Sequence, residues 1–234
     1  MHPVSIVTGG SRGIGAATVR ELLSRGHRVV ATGRGPEQLT ELADRVPDPS
    51  LLRLVPGHAA DAEALDRAVA VAVDAFGRLD TVVANAGYAT HDSFVDGDPE
   101  RWRDMVLTNV LGPALLARAA IPRLRETRGR IILVGSVAGH VHTPGNLYGA
   151  TKFAVTGLAE NLRLLVSKDG IGVTLISPGA IDTDFFRPIG GPPAGRPGGY
   201  LDPARIAESI AWAAHQPAGV DVNHLMIRPI GSER

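Results

Sequence analysis

The chain has 234 residues, with 24 basic and 24 acidic side chains, zero formal net charge and no cysteine. That length suits one domain with a sizeable core, the balanced charge offers no basic excess for nucleic acid or anionic lipid, and the missing cysteine excludes disulfides, thiol catalysis and cysteine metal sites. The longest purely apolar stretches are too short for a membrane span, and a strand-like run almost at the start leaves no room ahead of it for a signal peptide, so a cytoplasmic protein without nucleic-acid or membrane partners is expected.

Short apolar runs alternate with longer amphipathic ones along the whole chain. Strands are predicted at Val4–Thr8, Arg28–Thr32, Leu51–Val55, Thr81–Ala84, Arg130–Gly135, Val173–Ser177 and Leu225–Arg228. Helices are predicted between them, at Gly13–Arg25, Pro36–Arg45, Ala62–Phe76, Pro99–Leu124, Leu147–Lys168 and Pro203–His215, with Gly26 and Gly170 where C-caps belong. The alternation implies an α/β fold: a single-domain, doubly wound Rossmann-type parallel sheet of about seven strands with helices on both faces, spanning 1–234. Ligands of such sheets sit beyond the carboxyl ends of the strands, so functional residues should follow strands directly. One segment breaks the pattern. Between Pro188 and Gly199 nine of twelve residues are Gly or Pro, which forbids a regular element and marks a substrate loop at about 184–201.

After the first strand, Thr8-Gly9-Gly10-Ser11-Arg12-Gly13-Ile14-Gly15 opens a helix. Glycines 9, 13 and 15 let the backbone turn tightly and approach a pyrophosphate at a helix N-terminus. Tyr148 and Lys152 lie one helical turn apart, with Asn146 placed to cap their helix. Only three tyrosines and two lysines occur against 22 arginines, so this pair is rare by chance, and a compact, tunable ammonium is favoured at 152. A phenol titrates near pH 10, and proton transfer near neutrality needs a cation beside it.

The glycine spacing, Asn85-Ala86-Gly87 after the fourth strand, Asn109, Ser136, Tyr148-x-x-x-Lys152 and Pro178-Gly179 come in one order. Together they resemble the short-chain dehydrogenase/reductase family, specifically its shorter-chained, NADP(H)-preferring branch, over nearly the whole length. The resemblance implies an oxidoreductase in which Tyr148 exchanges a proton with a small carbonyl or alcohol substrate. It makes Lys152 a ligand of the nicotinamide ribose, Ser136 a donor to the substrate oxygen and Asn109 the holder of a proton-relaying water. Asn85, Ala86 and Gly87 would form the cofactor floor, while Pro178, Gly179 and Thr183 would clamp the nicotinamide amide. Gly33 stands where NAD-binding sites carry an acid, and Arg34 follows it. With Arg12 at a helix N-terminus, where the dipole disfavours a cation, this points to two guanidiniums on a 2′-phosphate and to NADP(H) as cofactor. The glycine loop, with Ser11 and Ile14, completes the cofactor set. Family members pair the long helices across two-fold axes, implying a homodimer or homotetramer, and Leu115, Leu116, Leu158, Leu162 and Leu165 are more than one sheet face needs.

Blander roles stand beside several of these. Ser136 can satisfy a strand-end amide, Asn109 can bridge two helices, Thr183 can cap a short helix from Asp184, and Arg12 and Arg34 can be surface arginines. The spacing from Ser136 to Tyr148 is twelve where the family usually has thirteen. His58 occupies the family's usual adenine-contacting acid position. Tyr88, Phe94, His140, His142, Leu147, Phe185 and Phe186 are expected to face the substrate, with Arg187 and Arg196 as carboxylate anchors. An apolar ketone or aldehyde is the first expectation. A small 3-hydroxy acid is the alternative, because Val222–Pro229 resembles members acting on hydroxy acids. An epimerase or dehydratase and a non-catalytic nucleotide-binding sensor are further rivals, and the eight histidines suggest no metal cluster.

Overall fold

Seven parallel strands lie in the order β3-β2-β1-β4-β5-β6-β7 in the computed structural model, which describes residues 2–142 and 144–232, without the side chains of Arg187 and Pro188. The strands are β1 (Val4–Val7), β2 (Arg28–Gly33), β3 (Leu52–Pro56), β4 (Thr81–Ala84), β5 (Arg130–Val134), β6 (Gly172–Pro178) and β7 (His224–Ile227). Between them run α1 (Gly13–Ser24), α2 (Pro36–Ala43), α3 (Ala62–Phe76), α4 (Pro99–Val106), α5 (Gly112–Thr127), α6 (Leu147–Val166) and α7 (Pro203–Ala214). The doubly wound Rossmann-type sheet is as predicted, with strand limits shifted by a residue or so.

Because helices cover both faces, every residue of β1, β4, β5 and β6 is buried, and these strands are largely apolar, interrupted by buried Ser5, Thr81, Arg130, Thr174 and Ser177. Alternate side chains go to opposite faces. Ile6, Val82, Ile131 and Leu133 pack under α3, α5 and α6 against Leu65, Leu116 and Val155. Val7, Val83, Ile132 and Ile176 pack under α1, α2 and α7 against Val19, Leu39 and Ile206. Asp61, Asp98 and Asp202 cap α3, α4 and α7 through their side chains.

The helix predicted from Pro99 is not one uniform element. A π-helical turn at Leu107–Leu111 separates α4 from α5, which continues to Thr127 through an internal Pro122. Pro99–Thr127 is long and apolar enough to cross a membrane by length and composition, but its Met105, Leu116, Ala117, Ala120 and Leu124 are core. Leu116 and Leu162 are fully occupied there too, and Leu115 and Leu158 pack partly against that core. Of the leucines expected to be surplus, only Leu165 is exposed, together with the unanticipated Leu164 and Leu111.

Candidate active site

Strand order reverses direction at β1, whose neighbours are β2 and β4. The loops after β1 and β4 part there, which opens a crevice at the carboxyl edge. A cleft of about 860 Å³ fills it. Gly9, Ser11, Arg12, Gly13, Ile14, Gly33, Arg34, Asn85, Ala86, Gly87, Ser136, Tyr148, Lys152, Pro178, Gly179 and Thr183 all line it. Two residues assigned to the site do not: Gly15 and Asn109 sit behind the wall.

Local chemistry explains the loop after β1. Gly9 and Gly13 have positive φ, 63° and 51°, which side-chain-bearing residues rarely adopt. Gly15 acts differently from the expectation that it approaches a ligand: a Cβ there would lie 2.1 Å from the Gly9 carbonyl oxygen and 2.5 Å from Asn85 Nδ2. The Asn85 side chain donates to the Thr8 carbonyl at 2.9 Å, and Thr8 Oγ1 accepts the amides of Asn85 and Ala86 at 3.1 and 3.2 Å. Arg12 is the N-cap of α1, without a capping hydrogen bond and with no acid in the first turn. The helix N-terminus, with its exposed amides and this guanidinium, is thus presented to the cleft for an anion.

At the far end of the cleft a polar cluster surrounds Arg34. Its guanidinium lies 5.9 Å above the Tyr88 ring and 3.9 Å from Asp104 Oδ2. Tyr88 donates its hydroxyl to the same carboxylate at 2.7 Å, and burial together with that carboxylate pushes the Tyr88 phenol above its usual range. The pairing of Arg34 with Asp104 is exposed and loose, the kind worth at most about 1 kcal/mol, so the arginine can be claimed by a stronger anion. His58 is neither stacked nor merely exposed. Its Nδ1 accepts the Ala60 amide at 3.1 Å, so in the neutral ring Nε2 carries the hydrogen, 3.2 Å from Asp104 Oδ1 and 3.3 Å from Thr108 Oγ1.

Beyond β5, Ser136 begins a short 3₁₀ turn, and its hydroxyl accepts the Ala138 amide at 3.1 Å while lining the cleft near enough to Tyr148 to influence its phenol. The strand-end role and the contact with the phenol therefore coexist. Asn146 caps α6 at its Gly149 amide, 3.4 Å away, which sets Tyr148 in the first turn. Lys152 is buried, its Nζ 5.7 Å from the Tyr148 ring centre and donating to the Val134 carbonyl at 3.0 Å. Burial pushes the Tyr148 phenol up to about 12, with the Ser136 hydrogen bond opposing it, and pushes Lys152 down to about 8. The expected lowering of the phenol by the ammonium is not what this geometry produces. Both groups are desolvated, and the ammonium directs a donor at a backbone carbonyl. Asn109, in the π turn, bonds protein through both side-chain ends: its amide donates to the Tyr88 carbonyl at 2.9 Å and to Thr151 Oγ1 at 3.0 Å, and its oxygen accepts the Tyr88 amide at 3.0 Å. These bonds bridge the π turn to α6 and hold the Gly87–Tyr88 floor against it.

The substrate side is aromatic. Phe185 meets Tyr148 edge-on at 5.4 Å, and Phe186 meets Phe185 at 5.2 Å and Tyr200 at 5.6 Å. Thr183 both lines the cleft and caps the 3₁₀ turn Asp184–Ile189, accepting the Phe185 amide at 3.3 Å. Tyr88, His142, Phe185, Phe186 and Arg196 line the cleft as expected, whereas Phe94, His140 and Leu147 do not. Phe94 packs outward against Trp102, and His140 turns away to Ser177 and stacks on His224. The Arg187 side chain lies outside the described residues. Among the described residues no group of three or more His, Asp and Glu could hold a metal. His91 and Arg101 line the cleft without having been anticipated, since neither belongs to a glycine motif nor shows a helical or strand spacing that marks it.

The short chain dehydrogenase family matches residues 3–192. The chain belongs to the short-chain dehydrogenase/reductase family. Uncharacterized oxidoreductases of Staphylococcus aureus strain MW2 and Staphylococcus saprophyticus are 33% identical over 229 residues and 34% over 232, each comparison covering 97% of both chains. An alcohol dehydrogenase of the archaeon Thermococcus sibiricus, solved with 5-hydroxy-NADP, superposes with a TM-score of 0.90 at 26% identity, covering 100% of this chain and 99% of its own. A serine dehydrogenase in closed form with NADP+ superposes with a TM-score of 0.84 at 30% identity, covering 96% and 94%. This short-chain dehydrogenase is therefore an oxidoreductase acting on a small molecule with a nicotinamide cofactor.

Proposed function

We propose that this enzyme moves a hydride between NADP(H) and the carbonyl or alcohol carbon of a small molecule, chiefly as a carbonyl reductase, with Tyr148 as its acid/base. The observation that carries the reading is Tyr148 lining the cleft with the Ser136 hydroxyl, with buried Lys152 one turn on and 5.7 Å from its ring centre, in a cleft fit for a dinucleotide. When bound, the nicotinamide supplies or takes up the hydride. The chain's own residues do the rest. Ser136 holds the substrate oxygen, and Tyr148 gives that oxygen its proton. A phenol pushed up to about 12 is protonated at neutral pH and so ready to donate. An ammonium near 8 is still mostly charged there and favours the phenolate left behind.

Gly9, Ser11, Gly13 and Ile14 present amides to the pyrophosphate, and Gly15 keeps that loop closed. Arg12 and Arg34, beside Gly33, take the 2′-phosphate. Asn85, Ala86 and Gly87 form the floor, Lys152 meets the nicotinamide ribose, and Pro178, Gly179 and Thr183 meet its amide. The loop at about 184–201 walls the substrate side of one catalytic unit formed by the whole chain. Its aromatic lining suits an apolar ketone or aldehyde. A small 3-hydroxy acid is the second reading, favoured by Arg196 in the cleft and by the likeness to a serine dehydrogenase, whose named substrate carries its hydroxyl on C3. Exposed Leu111 in the π turn and Leu164 and Leu165 on α6 support a homodimer or homotetramer, and a balanced, cysteine-free composition supports a cytoplasmic place.

Tyr148→Phe tests the mechanism: NADPH consumption with a panel of ketones, aldehydes and hydroxy acids should fall about 10²–10⁴-fold in kcat while NADPH still binds. Near-normal turnover would remove Tyr148 from the reaction. Equal kcat/KM with NADPH and NADH in the unmodified enzyme would remove the cofactor preference.

A further inference from the structure

We infer that His91 is a positioning residue that pins Phe185 as a wall of the substrate chamber and so selects for carbonyl substrates bearing a flat aromatic group. The inference rests on Tyr148 being the acid/base, because Phe185 matters only through its place beside that phenol. Four observations converge on it.

First, His91 reaches from the loop after β4 to the turn after β6, where its Nε2 lies 2.8 Å from the Phe185 carbonyl oxygen. A carbonyl only accepts, so Nε2 carries the hydrogen and the tautomer is fixed. Second, the ring touches both phenylalanines, Phe185 edge-on at 5.1 Å and Phe186 tilted at 5.7 Å. One imidazole thus holds the backbone and the rings of the same turn. Third, Phe185 passes this placement to the reacting end, since its ring meets Tyr148 at 5.4 Å. Fourth, the His91 backbone is itself held in an unusual state. Its φ of 58° is left-handed, one of only two such non-glycine residues among those described. Such a conformation persists when its surroundings over-determine it. Here they do: the next residue, Asp92, accepts hydrogen bonds from Thr90 and from Trp102 Nε1, which anchors the loop on α4.

Phe185, Phe186 and Tyr148 therefore make a preset aromatic surface rather than a loose flap, and the His91 hydrogen bond ties it to the loop after β4. A flat ring can pack edge-on or offset against that surface, whereas a small aliphatic substrate gains little from it.

The test uses the full-length enzyme with NADPH, acetophenone as the aromatic probe and propanal as the small one. His91→Asn keeps a residue tolerant of left-handed backbone but is too short to reach the carbonyl. His91→Gln restores a donor of similar reach. We expect His91→Asn to raise KM for acetophenone roughly 3- to 10-fold, the effect of one lost hydrogen bond, by more than it lowers kcat and with a smaller change for propanal. The amides of Phe185 and Gly191, which bond Thr183 and the Phe186 carbonyl, should exchange hydrogen faster in the Asn variant and return toward native rates in the Gln variant. Unchanged exchange, an equal rise in KM for both probes, or no rescue by Gln overturns the inference. Failure of the native enzyme to turn over either probe counts against the proposed carbonyl reduction instead, and exchange still reads His91.

Discussion

The loop that faces the cofactor and the wall that faces the substrate are held in opposite ways. Residues 8–15 are fixed at the backbone: the Thr8 and Gly10 amides donate to the Val83 and Thr32 carbonyls, the side chains of Thr8 and Asn85 bond backbone groups across two strand ends, and Gly15 lies so close to the Gly9 carbonyl that no side chain fits. Residues 183–200 are fixed by ring edges, by one imidazole on a carbonyl and by the Tyr200 hydroxyl on the Pro193 carbonyl. The comparison teaches that close backbone approach writes itself into residue type, whereas a wall of side-chain contacts does not. Only glycine answers the first demand, but several apolar residues could answer the second.

The largest expected effect breaks the rigid side from beneath. Buried Ser5 on β1, buried His27 ahead of β2 and exposed His215 at the end of α7 form a chain of hydrogen bonds from the core to the surface, 2.7 Å from Ser5 Oγ to His27 Nδ1, 3.1 Å between the two Nε2 atoms and 2.7 Å from His215 Nδ1 to the Ala211 carbonyl. Ala211 can only accept, so His215 Nδ1 carries a hydrogen, and a neutral His27 divides one donor and one acceptor nitrogen between Ser5 Oγ and His215 Nε2. Burial, then the charges of His215 and Arg25, lower His27 to about 4 from an ordinary 6.5, while Asp80 pulls the other way. The unfolded chain takes up this proton below pH 6.5 and the folded chain resists it. The stability is therefore complete above pH 6.5 and declines by up to about 3 kcal/mol as pH falls toward 4. Urea titrations at pH 7.5, 5.5 and 4.5 should show that slope in the native protein and lose it in His27→Gln. Identical slopes in the two proteins would dismiss the chain as a source of acid sensitivity.

A smaller break targets the loop itself. In Gly15→Ala the new methyl meets a backbone carbonyl, which cannot swing aside as a side chain can. Overpacking of about 1–3 kcal/mol should weaken NADPH binding roughly 10- to 100-fold, read by fluorescence titration. Retained affinity would mean that the loop yields more readily than its hydrogen bonds suggest.

The smallest effect sharpens the comparison at the loose end of the cleft. Arg34 is exposed and only 3.9 Å from Asp104, so its contribution is a modest, salt-sensitive one. Gly33→Asp with Arg34→Leu should shift the ratio of kcat/KM from NADPH toward NADH by about tenfold. The shift should shrink as ionic strength rises. A salt-independent ratio would argue that shape rather than charge discriminates between the cofactors.

The sequence by itself determined the sheet, its strand limits within a residue or so, the helices between the strands apart from the break at Leu107–Leu111, and the placement of most of the cleft lining. Short apolar runs alternating with amphipathic ones, glycines after strands and a Tyr-x-x-x-Lys turn are local signals, and each follows from contacts within a few residues. It did not disclose that Asn109 sits in a π turn, that Leu116 and Leu162 belong to the core, that His140 faces away from the cleft, or that His91 holds Phe185. Those outcomes depend on which elements meet. Asn109 joins residues 21 and 42 positions away, and His91 reaches one 94 away. No periodicity encodes such pairings, because a polar side chain on a loop or helix reads the same whatever lies opposite it. Only the packed sheet, by bringing the loops after β4, β5 and β6 to one edge, decides which side chains share a site.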